Sequence, residues 1–97
     1  MAQHIDAKPE ELRGSADRYM KASENTESVI GDLDTEKGFL LDSWKGAAQE
    51  AFVSQYEELR PSFVQMKELA AQISEQLRQS ANAIEENDAN IASRIRG

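Results

Sequence analysis

The sequence predicts an all-α protein: an antiparallel two-helix hairpin that dimerises into a four-helix bundle. Three observations support this fold class. Two series of mostly apolar positions alternate steps of four and three, a short segment of turn-forming residues separates them, and 39% hydrophobic with 30% charged residues is typical of a soluble helical chain. At 97 residues the chain has room for one domain, residues 1–97.

The first series predicts a helix from about residue 8 to residue 43. Pro9 marks its start, because a proline at the first helical position lacks only an amide that would be unpaired there. Gly31 leaves open an alternative in which the helix breaks, but the series keeps its phase beyond Gly31 and favours a continuous helix. Its positions are Leu12, Ala16, Tyr19, Ser23, Thr26, Ile30, Leu33, Lys37, Leu40 and Trp44.

The second series predicts a helix from about residue 47 to residue 90. Pro61 lies inside it and removes one backbone hydrogen bond, so we expect a local kink rather than an end. The series stays in register on both sides of the proline. Its positions are Phe52, Tyr56, Leu59, Phe63, Met66, Ala70, Ile73, Leu77, Ser80, Ile84, Asn87 and Ile91.

Residues 44–46, Trp-Lys-Gly, form the predicted turn. We expect Gly46 to be the left-handed C′ residue of the first helix and Lys45 to lie at the negative end of its dipole. A connection this short makes the two helices antiparallel.

A hairpin of this size is expected to need a partner, because a small domain buries too little surface to be robust alone. Each series is expected to pack against the neighbouring helix, and covering the remaining apolar surface with a second copy would give a two-fold symmetric homodimer. The residues predicted to form the core and dimer seam are Leu33, Leu40, Phe52, Tyr56, Leu59, Phe63 and Met66. Apolar residues expected to stay exposed outside the two series are Val29, Phe39, Leu41, Val53, Val64 and Leu69.

Composition argues against several classes of function. A net charge of −7 repels nucleic-acid phosphates and anionic lipids. The acidic residues Glu85, Glu86 and Asp88 have no histidine or cysteine nearby, and His4 is the sole histidine, so we expect no catalytic site, metal or cofactor. The sequence also lacks the apolar run of a cleavable signal peptide or a membrane-spanning helix, and we expect no stable membrane insertion.

The Trp44-Lys45-Gly46 turn at mid-chain, between two heptad helices of a chain near one hundred residues, resembles the WXG100 family of ESAT-6-like proteins. The resemblance covers the whole chain. It implies a protein without enzyme activity that is secreted by a type VII system and is virulence-associated or an export partner. It further implies a location outside the cell, reached without a cleavable signal peptide after folding in the cytoplasm.

The resemblance also implies a C-terminal export tail, residues 84–97. Ile84, Asp88, Ile91 and Ile95 follow the family's broader spacing of hydrophobic and acidic positions, although Ile84 stands where members often carry tyrosine. In the family's antiparallel dimer such residues meet the tryptophan turn, here Trp44 and Gly46, of the other copy.

The implied partners are a second copy or a related WXG protein, and a secretion ATPase of the FtsK/SpoIIIE type. Two alternatives stay open: an effector that perturbs membranes or binds a host protein, and an intracellular coiled-coil scaffold.

Overall fold

The computed structural model describes residues 8–96, with side chains as far as Ala89. Two helices make up this range: α1, Pro9–Ser43, and α2, Ala47–Arg96. Residues 44–46 join the two helices, which pack antiparallel on each other, and no strand occurs within residues 8–96. The predicted all-α helical hairpin is therefore confirmed. Over the described residues, neither helix has a stretch apolar enough to cross a membrane.

Helix α1 begins at Pro9 and continues through Gly31, as the sequence predicts. Lys8 precedes it in an extended conformation, and its carbonyl accepts hydrogen bonds from the amides of Glu11 (2.9 Å) and Leu12 (3.1 Å). Pro9 occupies the first turn, where its missing amide costs nothing. The helix runs through Gly31 without a break, which decides between the two alternatives for this segment.

Helix α2 also continues through its expected weak point, since Pro61 lies inside an uninterrupted helix. The helix extends to Arg96, beyond the predicted end near residue 90. His4 lies outside the described residues.

The hairpin is a thin rod and not a globule. It measures 77 × 27 × 14 Å, and its radius of gyration is 21.9 Å, against about 13 Å for a compact domain of this length. Since one helix with side chains is about 10–12 Å thick, the molecule is a single layer. Its accessible surface of 7386 Å² exceeds the roughly 5,500 Å² of a compact monomer of this mass. Both broad faces of the layer are therefore open.

The interior of the layer is small and partly polar. Within the described side chains, the buried apolar residues are Ala16, Ile30 and Ala81, and the buried polar ones are Ser23, Gln49 and Ser74. Ten large apolar side chains of the described residues lie elsewhere, on positions that the hairpin leaves exposed.

Candidate pairing and export surfaces

Trp44 ends α1 and exposes an aromatic pair at the tip of the hairpin. Its backbone is extended (φ −125°, ψ 121°), and its amide donates to the Leu40 carbonyl over 3.0 Å. The indole packs against the ring of Phe52, with centroids 6.2 Å apart and planes tilted by 52°. Trp44 remains 38% exposed and Phe52 46% exposed, so this pair is accessible to a partner at the tip.

Gly46 sets the direction of the second helix. Its φ of +122° is in the region that L side chains rarely adopt, as the turn prediction required. Its place in the turn differs from the prediction, however. The Gly46 carbonyl accepts a hydrogen bond from the Glu50 amide (3.2 Å), so the glycine is the residue before α2 and not the C′ residue of α1. Lys45 does bind the end of α1, since its Nζ donates to the Leu41 carbonyl over 2.8 Å.

Four of the hydrogen bonds that cross between the helices are donated by the side chains of Ser23, Gln49, Tyr56 and Ser74, and we call them the polar ladder. Each pairs a residue of α1 with a residue of α2, and two of them join a buried serine to a backbone carbonyl of the opposite helix. The rungs are Gln49 Nε2 to the Leu41 carbonyl (3.5 Å), Tyr56 Oη to Asp34 Oδ1 (2.6 Å), Ser23 Oγ to the Lys67 carbonyl (2.8 Å) and Ser74 Oγ to the Ala16 carbonyl (2.8 Å). No buried side-chain polar atom of the described residues lacks a partner.

Asp34 is the centre of a charged cluster at mid-hairpin. It accepts hydrogen bonds from Arg60 Nε (3.0 Å), Arg60 Nη2 (2.8 Å) and Tyr56 Oη (2.6 Å). Arg60 first and Tyr56 second stabilise the carboxylate, which lowers the pKa of Asp34 to about 2. Burial, reinforced by Asp34, raises the pKa of Tyr56. Lys37 pairs with Glu57 and lies 5.8 Å from the centre of the Tyr56 ring.

A second ionic contact fixes the open end of the hairpin. Arg13 binds Glu85 through two hydrogen bonds of 2.9 and 2.7 Å and also binds Asn82 (2.7 Å). The guanidinium lowers the pKa of the Glu85 carboxyl. Such exposed pairs contribute little stability individually, so their main effect is to define which positions of the two helices face each other.

The two predicted series each combine a row that faces the other helix with a row that does not. With heptad position a assigned to Ala16 in α1 and Tyr56 in α2, the interhelix contacts fall mainly on positions a, b and e, and the series occupy a and d. The expectation that each whole series packs against the neighbouring helix is therefore wrong. Position d points to one side of the contact, because d is about 60° from a on a helix.

Positions d and g of both helices form one exposed surface, which we call the apolar face. In antiparallel helices these positions lie on the same side of the pair. Among the helical residues with described side chains, the sole charged residue on d or g is Glu36. Its large apolar members are Tyr19 (43% exposed), Val29 (53%), Leu33 (39%), Phe52 (46%), Leu59 (50%), Met66 (57%) and Leu69 (55%).

The residues predicted as core and dimer seam divide between these environments. Leu40, Tyr56 and Phe63 are half-buried in the hairpin. The other four are exposed on the apolar face: Leu33, Phe52, Leu59 and Met66. Of the residues expected to remain exposed outside the series, Val29, Phe39, Leu41 and Leu69 are exposed, and Val53 and Val64 are half-buried.

The predicted export residues lie at the opposite end from the turn. Ile84 is half-buried and Asp88 is exposed. Ile91 and Ile95 belong to α2, but their side chains fall outside those that the structure describes. At 1.5 Å per residue, Ile84 is roughly 55 Å along α2 from the turn, so one hairpin does not bring Trp44 and Ile84 together.

The sequence reasoning missed the residues that hold the helices in register, above all Ser74 and Arg60. A usable signal was present. In an antiparallel hairpin that turns at residues 44–46, facing residues have numbers that add up to slightly more than 90, which pairs Asp34 with Arg60 and Glu27 with Lys67. Within the described residues, no group of histidine, cysteine and acidic side chains is arranged to hold a metal ion.

Comparison with known proteins identifies the family. The pattern of the WXG100 family, described as proteins of 100 residues with WXG, matches residues 4–89. This chain belongs to the WXG100 family. Protein YukE of Bacillus subtilis is 41% identical over 97 residues, with all of both chains covered. Type VII secretion system extracellular protein A of Staphylococcus aureus is 28% identical over 88 residues, which cover 91% of each chain.

A solved structure supports the same assignment. The EsxA protein of Geobacillus thermodenitrificans is 46% identical to this chain and superposes with a TM-score of 0.86, covering 94% of this chain and 100% of that one. Family membership and the hairpin fold therefore agree, and the Trp-X-Gly motif of the WXG100 family corresponds to the tip formed by Trp44 and Gly46.

Proposed function

We propose that this chain is a type VII secretion substrate that is exported as a folded homodimer. Membership of the WXG100 family carries the proposal, together with the likeness to a staphylococcal protein named for its extracellular location and its type VII system. The protein is then made and folded in the cytoplasm and acts outside the cell, as a virulence-associated protein or as an export partner of other substrates.

The apolar face supports pairing with a second copy. Its half-exposed leucine, methionine and aromatic side chains follow both helices, and it carries almost no charge. The accessible surface of the hairpin exceeds that of a compact monomer of this mass by roughly 1,800 Å². One subunit of an obligate homodimer buries an area of this size. Two hairpins joined through this face make a four-helix bundle. The apolar side chains of both faces then form a shared interior, whereas the interior of one hairpin is small.

An antiparallel arrangement of the two copies would create the export signal. The tip of one hairpin, with Trp44 and Gly46, would then lie beside Ile84 and Asp88 of the other, although the two sites are at opposite ends of one chain. Ile91 and Ile95 would continue that surface. A secretion ATPase of the FtsK/SpoIIIE type that reads both parts would accept the paired, folded protein and reject a single chain.

The export proposal is tested by comparing culture supernatant with cell extract for Trp44→Ala, Ile84→Ala and Asp88→Asn, in strains with and without the secretion ATPase. Each variant is expected to accumulate in the cells. Phe39→Ala and Glu86→Gln are matched controls, because they change an exposed aromatic and an exposed acid near the same ends of the hairpin. Circular dichroism and light scattering show whether each variant still folds and pairs.

Unchanged export of all three variants would refute the assigned signal. Equal amounts in the supernatant with and without the ATPase would refute type VII export, and an empty supernatant in both strains would favour an intracellular scaffold. Leakage of lipid vesicles caused by the purified protein would instead favour a membrane-perturbing effector.

A further inference from the structure

The polar ladder lies between the two helices, among the buried and half-buried apolar side chains of their contact. The buried side chains between the helices include two serines and a glutamine, and every rung crosses from one helix to the other. Seven large apolar side chains are exposed on the apolar face, outside this contact. The hydrogen bonds that join the two helices are therefore separate from the exposed apolar side chains that are available to a partner.

The rungs share one register. The two residue numbers add up to 90 in every rung: 16 with 74, 23 with 67, 34 with 56 and 41 with 49. Sliding α2 along α1 by one turn would break all four bonds, would separate Tyr56 from Asp34, and would require each buried serine to bond to a different carbonyl. An apolar seam of alternating leucines would tolerate such a shift far better, because one apolar contact can replace another.

We propose that the polar ladder fixes the register of the hairpin and lets a single chain close before it pairs. Pairing then joins two preformed hairpins through the apolar face, a step that rests on the homodimer proposed above. Closing first has a physical advantage, because positions d and g of the two helices then already lie on one side of the hairpin. A partner that arrives later meets a complete face.

The test requires hairpins that do not pair. Leu59→Lys and Met66→Lys together place two charges per protomer in the centre of the apolar face and are expected to give a mass near 10.8 kDa by light scattering. Because the chain contains no cysteine, spin labels can be attached at Ser28→Cys and Glu68→Cys, two exposed positions away from that face. Double electron–electron resonance then measures the distance between the helices.

A closed hairpin holds these labels on neighbouring helices whose axes are about 8–10 Å apart, whereas an opened rod separates them by roughly 60 Å. The unpaired variant with its ladder intact is expected to show the short distance. Removing rungs with Ser23→Ala, Tyr56→Phe and Ser74→Ala is expected to replace it with a broad, long distribution.

Thr35→Ala and Ser43→Ala are the control for the loss of hydroxyl groups. The hydroxyls of Thr35 and Ser43 bond to carbonyls of their own helix and do not join the two helices. These changes are expected to keep the short distance. A monomer that lacks the short distance with its ladder intact would overturn the proposal, and so would a short distance that survives removal of the three rungs.

The mass of the double-lysine variant tests the pairing surface independently of the polar ladder. A double-lysine variant with a mass near twice 10.8 kDa would show that the apolar face is not the pairing surface. The urea midpoint then decides the ladder: it should fall further in the ladder variant than in the hydroxyl control, and equal midpoints would overturn the proposal.

Discussion

Leu59→Ala tests the apolar face quantitatively. Leu59 is 50% exposed in the hairpin, and burying a whole leucine side chain contributes about 1.5–3 kcal/mol, so covering its exposed half contributes about 1 kcal/mol. Two-fold symmetry brings the same residue into the interface twice, which makes the loss about 2 kcal/mol per dimer. The dissociation constant should therefore rise about 30-fold.

Sedimentation velocity over a dilution series measures this constant. Leu41→Ala is the matched control. Leu41, in α1, is also a partly exposed leucine (40%), but it occupies position e, on the side of the polar ladder and not on the apolar face. Its dissociation constant should stay within about threefold of the wild-type value, since the lost surface is not in the interface. Equal constants for Leu59→Ala and wild type, or equal increases for both variants, would refute the assignment of the apolar face.

Three further predictions concern stability and need only circular dichroism. Asp34→Asn should lower the free energy of unfolding at pH 7 and make it depend less on pH in the acid range. In the folded protein the pKa of Asp34 is about 2, below its value in the unfolded chain. The stabilisation by Arg60 is therefore present above pH 4 and is lost as the pH falls toward 2. A wild-type acid dependence in the variant would contradict this. Gly46→Ala should cost about 1–2 kcal/mol because of the positive φ, whereas Gly31→Ala, in an open helical position, should stabilise by about 0.5–1 kcal/mol. A higher urea midpoint for Gly46→Ala, or a lower one for Gly31→Ala, would contradict the corresponding prediction. Pro61→Ala should raise the thermal midpoint, because it restores one hydrogen bond of α2, and a lower midpoint would show that the proline is needed.

The sequence was sufficient for the hairpin because each decisive signal is local. Pro9 begins a helix, Gly46 permits a backbone conformation that other residues resist, and heptad spacing carries α1 past Gly31. These effects depend on the residues themselves and on neighbours within one or two turns, so they can be predicted without knowledge of the tertiary contacts.

The orientation of each row was not predictable in the same way. Leu59 and Phe63 belong to one heptad series, yet the structure exposes the first and half-buries the second. A contact within a hairpin and a contact between hairpins both require a repeat of seven, so periodicity cannot separate them. The polar residues contained part of the missing information, because a hairpin that turns at residues 44–46 places Arg60 opposite Asp34.

The distribution of charge makes self-association compatible with a net charge of −7 per chain. Two copies repel each other unless their charges are kept apart, and the apolar face carries almost none of them. Since each layer is 14 Å thick, charges on the outer sides of two stacked hairpins are separated by more than 20 Å, well beyond the Debye length of about 8 Å at physiological ionic strength. Repulsion across the dimer is therefore largely screened, while the charges that face solvent keep the assembled bundles from associating further.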